Sequence, residues 1–197
     1  MRHAKRRFVN GVLSAGLAAA ILAGSAGLAG AQLPGGVIPG VAPDPGLALP
    51  NWDADELQGS TVQKRDIVKA YQQAIEQLED GRCRDALSKF DYVLEFVDDD
   101  PNVYYAAATA ARCARSFRSA MGLYESTIEF DPARWEAYRG LGISYLALGD
   151  LEGATDTLGE LDLAKAECAD ACAPELESAY AALRKVLEKA EQILGRN

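Results

Sequence analysis

Residues 138–161 read YRGLGISYLALGDLEGATDTLGEL. Tyr138, Leu141 and Tyr145 recur at spacings of three and four, which puts them on one apolar stripe of a helix. Gly142 lies in the same helix, where the lack of a side chain leaves room for a neighbouring backbone. Gly149 is the residue type that ends a helix in the left-handed conformation, and the Asp150 carboxylate can open the next helix by accepting from its free amides. Ala154 lets this second helix pack closely on the first, and Leu158 fills the space one turn on. Asp131-Pro132, just upstream, supplies the stop and restart of a helix boundary. The stretch therefore predicts two antiparallel helices joined by a tight turn.

The pattern returns at intervals of 34 residues. Ala154 becomes Ala120 and then Ala86, Leu158 becomes Tyr124 and then Phe90, and Leu161 becomes Thr127 and then Val93. Tyr138 becomes Tyr104, and Leu94-Glu95-Phe96 matches Ile128-Glu129-Phe130. The second copy carries Ala107-Ala108 in place of Leu-Gly and Ala111 in place of the second Tyr. In the first copy, Tyr71, Ala74, Ile75 and Leu78 match the stripe if the turn at Gly81 is one residue shorter. Helices are expected at about 61–80, 82–97, 101–114, 116–130, 133–148, 151–167 and 174–194. Asp98-Asp99-Asp100-Pro101 closes the first pair and opens the second; without further loop ligands it reads as a helix boundary and not a calcium site. The last helix opens on Pro174 and carries an apolar stripe of Leu176, Tyr180, Leu183, Leu187, Ala190 and Leu194 with charges mostly opposite. Such a helix covers the open end of an array.

A repeat of 34 residues with an aromatic, Leu-Gly, Tyr, a turn, then Ala and a large residue resembles the tetratricopeptide repeat (TPR). The resemblance covers about Thr61 to Leu161 together with the capping helix. It implies an all-α fold: a right-handed solenoid of three helix-turn-helix repeats, at about 67–100, 101–134 and 135–167, with a capping helix at 174–194. It also implies a concave groove, lined by the first helix of each pair, that takes a peptide or partner helix. By that alignment the groove is lined by Tyr71, Asn102, Tyr105, Thr109, Arg112 and Arg139, with Val68, Ile75 and Ile143 beside them. Tyr and Arg often carry interface energy. The Lys/Asn/Lys/Arg clamp of the TPR subclass that grips chaperone C-termini is absent from these positions.

The four cysteines, Cys83, Cys113, Cys168 and Cys172, form an even set that allows three pairings. In the implied solenoid, the start of the second helix of repeat one neighbours the end of the first helix of repeat two. That geometry pairs Cys83 with Cys113 and leaves Cys168 with Cys172 across the turn into the cap. Both read as staples. The three-residue spacer of Cys168 and Cys172 differs from the two-residue spacer of thioredoxin-type pairs, and the two pairs lie too far apart along the array to share a zinc ion.

Upstream of the array the character changes twice. Met1 to Ala31 has a basic start, an apolar middle from Val12 to Ala23, and Ala29-Gly30-Ala31 before Gln32, the layout of a secretory signal peptide cleaved after Ala31. The apolar middle is shorter than the ~20 residues needed to span a bilayer. No Cys stands near the cleavage site for lipid attachment, and Arg6-Arg7 only partly fits a twin-arginine signal. Residues 32–60 are rich in Pro and Gly, a composition that favours a disordered leader, with Trp52 and Leu57 able to dock on the first helix or to act as a short partner-binding motif. The expected address is the periplasm or the exterior, an oxidising setting that suits disulfides.

Several classes of function fall away on composition. Loss of Arg2, Lys5, Arg6 and Arg7 with the signal peptide leaves 16 basic residues against 29 acidic ones and moves the formal charge from -9 to -13. Nucleic acid and anionic membranes need clustered Lys and Arg instead. The single histidine, His3, leaves with the signal peptide, which removes His-based triads and metal sites. No strand precedes a phosphate-cradling Gly loop, so no cofactor is expected. The reading is a non-enzymatic scaffold that binds a protein or peptide, with self-association into a homo-oligomer as the structural alternative and a thiol oxidoreductase as the enzymatic one. Mass spectrometry of the exported chain should find its N-terminus at Gln32; a chain that still begins at Met1 would contradict the signal-peptide assignment.

Overall fold

The computed structural model describes residues 61–168 and 171–194. The segments expected to be a signal peptide and a leader, with Trp52 and Leu57, lie outside the described residues. Among those residues there are seven helices and no strand: α1 (Thr61–Glu79), α2 (Cys83–Leu94), α3 (Pro101–Cys113), α4 (Phe117–Phe130), α5 (Trp135–Ala147), α6 (Leu151–Cys168) and α7 (Pro174–Leu194). They pack as successive hairpins, α1 on α2, α3 on α4 and α5 on α6, with α7 laid over α5 and α6.

One turn is built three times. Gly81, Arg115 and Gly149, each 34 residues from the next, hold left-handed φ values of 74°, 63° and 81°. At each, the following residue donates its N–H to the carbonyl five residues back: Arg82 to Gln77 at 2.7 Å, Ser116 to Ala111 at 2.8 Å and Asp150 to Tyr145 at 3.0 Å. This bond closes a helix end whose carbonyls would otherwise lack partners. The turn at Gly81 therefore keeps the full spacing and is not one residue shorter, as the stripe on the first helix suggests. The stripe is offset because α1 turns Ile67, Tyr71, Ala74 and Leu78 to the core with α2 and α3. It buries these four alone.

The small positions of the second helices, Ala86, Ala120 and Ala154, are all fully buried, as are Val93, Thr127 and Leu161 one turn and more beyond. Between hairpins, a second bond repeats: Tyr104 donates to the Asp98 carbonyl at 3.1 Å, and Tyr138 to the Pro132 carbonyl at 3.2 Å. Asp100 caps α3 by accepting from the Asn102 amide at 2.8 Å, with Pro101 behind it in the first turn. Asp150 caps α6 by accepting from the Gly153 amide at 2.9 Å. Two helices are shorter than the sequence predicts. α2 stops at Leu94, because Phe96 and Val97 both bond back to the Val93 carbonyl, and α5 starts at Trp135, after a turn held by the Asp131 carboxylate on the Ala133 amide.

Glycines set the spacing between layers. A Cβ at Gly140 would come within 2.6 Å of the Tyr124 ring, and one at Gly142 within 2.6 Å of Leu183. Gly142 thus makes room for a side chain of the capping helix, not for a backbone. The cap is fastened further by Lys165, whose ammonium pairs with Glu177 at 2.7 Å and lies 4.2 Å over the Tyr180 ring. The structure joins Cys83 to Cys113, with Cα atoms 5.6 Å apart, and Cys168 to Cys172, 5.0 Å apart. The first bridge ties hairpin one to hairpin two. Closing a loop of this length stabilises by roughly 3 to 4 kcal/mol on chain-entropy arithmetic.

An added Cβ at Gly149 would meet nothing within 4 Å, so only its backbone conformation opposes a side chain. Gly149→Ala should then cost about 1 kcal/mol, and Arg115→Gly, at the equivalent turn, should stabilise by up to about 1 kcal/mol in urea unfolding. Destabilisation by Arg115→Gly would contradict the turn's equivalence across the repeats.

Candidate functional site

The middle first helix, α3, is shared between two core clusters. At about 100° per residue, Val103, Ala106, Ala107 and Ala110 share one flank and belong to the core with α1 and α2. Tyr105, Ala108 and Ala111 turn to the core with α4 and α5. The arc between these flanks holds Asn102 and Thr109, with Tyr105 and Arg112 at its edge against the second core. On α5 the equivalent arc, one repeat on, holds Glu136, Arg139, Ile143 and Leu146, all half-buried, while Ala137, Tyr138, Gly140, Leu141, Gly142 and Ser144 are buried. On α1 it holds Val68, Tyr71, Ile75 and Leu78.

The six groove residues named from the sequence therefore occupy matching positions on three first helices. Tyr71, Tyr105 and Arg139 form one column at intervals of 34. Their exposures differ. Tyr71 and Tyr105 are 1% and 3% exposed, Tyr71 edge-on to Phe90 at 5.7 Å and Tyr105 beside Tyr124 at 6.1 Å. Burial pushes the Tyr71 phenol upward in pKa, Asp100 adds to the rise and Arg134 opposes it. Asn102 is half-buried, its side-chain amide donating to the Asp100 carboxylate at 3.1 Å. Arg112 donates from Nε to the Tyr124 hydroxyl at 3.1 Å, which supplies a partner for a ring that is itself buried. Thr109 is 6% exposed.

Arg139 lines a cleft of 270 Å³ with Glu136 on α5 and Pro174, Glu175, Ser178 and Ala179 on the start of α7. The capping helix thereby supplies one wall at the end of the groove. A residue absent from the sequence reading is Arg134. Its guanidinium lies 4.8 Å over the Tyr105 ring, and its Nε is 3.9 Å from Glu136. It stands in the connector before α5, one repeat after Asp100, so helix periodicity gives no signal for it.

The comparisons with known proteins agree with this architecture. No protein-family model matches the sequence. A curated relative, tetratricopeptide repeat protein 33 of Mus musculus, is 26% identical over 112 residues, 53% of this chain and 43% of that protein, so the chain spans less than half of that relative. Among solved structures, PcrH in complex with the chaperone-binding region of PopD aligns with a TM-score of 0.55 at 19% identity, over 68% of this chain and 96% of that one. A T3SS complex from Aeromonas hydrophila aligns with a TM-score of 0.56 at 19% identity, over 71% and 93%. The Sgt2 TPR domain from Aspergillus fumigatus aligns with a TM-score of 0.51 at 14% identity, over 64% and 82%. The chain has the fold of a TPR solenoid. Its TPR hairpins are α1–α2, α3–α4 and α5–α6, and α7 is the solvating cap.

Within this TPR groove the two arginines have different settings. Arg112→Met removes the donor to Tyr124 and should cost about 1 to 2 kcal/mol in urea unfolding. Arg139→Met, in the open cleft, should cost about 0.5 kcal/mol or less. The opposite order would contradict these placements.

Proposed function

We propose that this TPR protein is a binding adaptor that holds an extended segment of a partner protein in its concave groove, outside the cytoplasm and within an envelope assembly or secretion system. The observation that carries the reading is the register of the three first helices. The turns bring half-buried apolar and cationic side chains, Val68, Ile75, Ile143, Arg112 and Arg139, onto one continuous arc. Val68 and Ile75 lean on the first core cluster and Ile143 on the third, and each keeps part of its side chain exposed. The solved structures of similar fold include PcrH with the chaperone-binding regions of PopD and PopB, and a CopN–Scc3 complex, which supports a partner-binding role for this shape. Among the described residues no helix is long and apolar enough to cross a membrane. The export signal and the two disulfides suit an oxidising compartment.

The reading assigns the chain no chemistry of its own. All four cysteines are spent in bridges, so a thiol role would require breaking a staple. Placing the photo-crosslinking residue p-benzoylphenylalanine at Arg139, in the groove, and separately at Asp156, on the exposed side of α6, provides the test. Crosslinking of a partner from envelope extract at position 139 and not at 156 is expected. Crosslinking at 156 alone, or only to a second copy of the chain, would sink the groove reading and favour the self-associating alternative.

A further inference from the structure

The two disulfides sit in opposite electrostatic settings. Cys83 and Cys113 line a surface cleft of 350 Å³ together with Arg82, Arg84, Asp85 and Arg115. Arg82 is engaged by the Asp80 carboxylate at 3.0 Å, whereas the guanidiniums of Arg84 and Arg115 have no ion pair among the described residues. Arg115 holds its place at a cost. Gly81 and Gly149 fill the equivalent turns, while here an arginine takes a φ of 63°. Strain of this kind collects at functional positions. Cys83 is also the first residue of α2, which has no side-chain cap, so the positive end of that helix adds to the arginines. The other bridge is placed the other way round. Cys168 ends α6, at the negative pole of a helix and directly after Glu167, and Cys172 lies just before the first turn of α7, which carries Glu175 and Glu177. The ammonium of Lys165, on the last turn of α6, is taken by Glu177 at 2.7 Å.

We propose that the Cys83–Cys113 bridge is an S-thiolation site, opened by small carboxylate-bearing thiols that the arginines of the cleft receive. This does not depend on the groove reading. The incoming thiol gives its proton to solvent, and its thiolate attacks the Cys113 sulfur, because Cys113 is half-buried while Cys83 is only 7% exposed. One S–S bond forms between the small thiol and Cys113 as the Cys83–Cys113 bond breaks, and the electron pair leaves on Cys83. The exchange needs no further oxidant or reductant. A thiolate leaves more readily where positive charge stabilises it, and Cys83 stands between Arg82 and Arg84 at a helix start. The planar forks of the guanidiniums also match the carboxylates of the incoming molecule. The product carries the adduct on hairpin two and a thiol on hairpin one, so the covalent tie between them is gone while α2 still packs on α3. The charge of a thiol, and not only its reducing power, therefore selects which bridge of this protein opens.

The test treats the folded, oxidised protein with anionic 3-mercaptopropionate or cationic cysteamine, quenches in acid, alkylates, and follows both bridges in each sample by peptide mass spectrometry. The intrinsic reactivity of each thiol cancels in the ratio of opening rates, Cys83–Cys113 over Cys168–Cys172. That ratio should be about tenfold or more higher with 3-mercaptopropionate than with cysteamine. The adduct should sit on Cys113, with Cys83 alkylated. The preference should shrink at about 1 M salt, where charges are screened within a few ångströms. It should shrink also in the double variant Arg84→Gln/Arg115→Gly, whose melting curve checks that it is folded. Equal ratios for the two thiols, or a preference unchanged in the folded double variant, would overturn the inference. So would an adduct confined to Cys83, or a Cys83–Cys113 bridge that opens only once urea has unfolded the protein.

Discussion

A single backbone bond, from the residue after a left-handed turn to the carbonyl five residues before it, fixes how each hairpin of this protein begins its return. It occurs three times at the same interval, after Gly81, Arg115 and Gly149. Because the bond ends each first helix at the same point, the helices that follow start in the same phase, and Ala86, Ala120 and Ala154 all reach the same close contact. Everything further along the chain inherits that phase. The tyrosines that tether one hairpin to the next, Tyr104 and Tyr138, find equivalent carbonyls, and the groove residues line up in columns.

The array still has to be closed at both ends and kept from sliding. The Cys83–Cys113 bridge holds hairpin one to hairpin two at the α1–α2 end of the described array. At the other end α7 docks through Leu183 over Gly142 and through Lys165 against Glu177 and Tyr180. The cap does more than shield the last repeat. Its first turn forms a wall of the cleft around Arg139, so the end of the groove depends on the cap's seating.

Much of this was legible in the sequence because it follows from backbone chemistry that leaves residue-type traces. Gly149-Asp150 announces a left-handed stop and an N-cap, and both are present. The small Ala positions mark close helix contacts. Arg115 left no such trace: it adopts the turn conformation although it is not glycine, and only the 34-residue register points to it. The offset stripe on α1 misled in the opposite direction, suggesting a short turn where α1 only presents a shifted set of residues to the core with α2 and α3. Within the groove, the positions of Tyr71 and Tyr105 could be read, but not their burial, since covering them depends on Phe90, Tyr124 and Arg134 from other segments. Arg112 likewise looked free for a ligand, while the buried Tyr124 hydroxyl takes its Nε–H. The burial of Thr109 has no signature in sequence, while the buried hydroxyls of Thr127, Ser144 and Thr157 each pair with the turn before them in their own helices.

These features combine into one account, in which repeated turns hold three first helices in register, and the proposed partner would lie across them. The most direct measurement is a methyl NMR spectrum of the isoleucine-labelled protein, recorded with and without a bound partner peptide. The account predicts that Ile75 and Ile143, in the groove column, shift on binding while Ile128 and Ile193, outside it, stay in place. Shifts confined to Ile128 and Ile193 would contradict it.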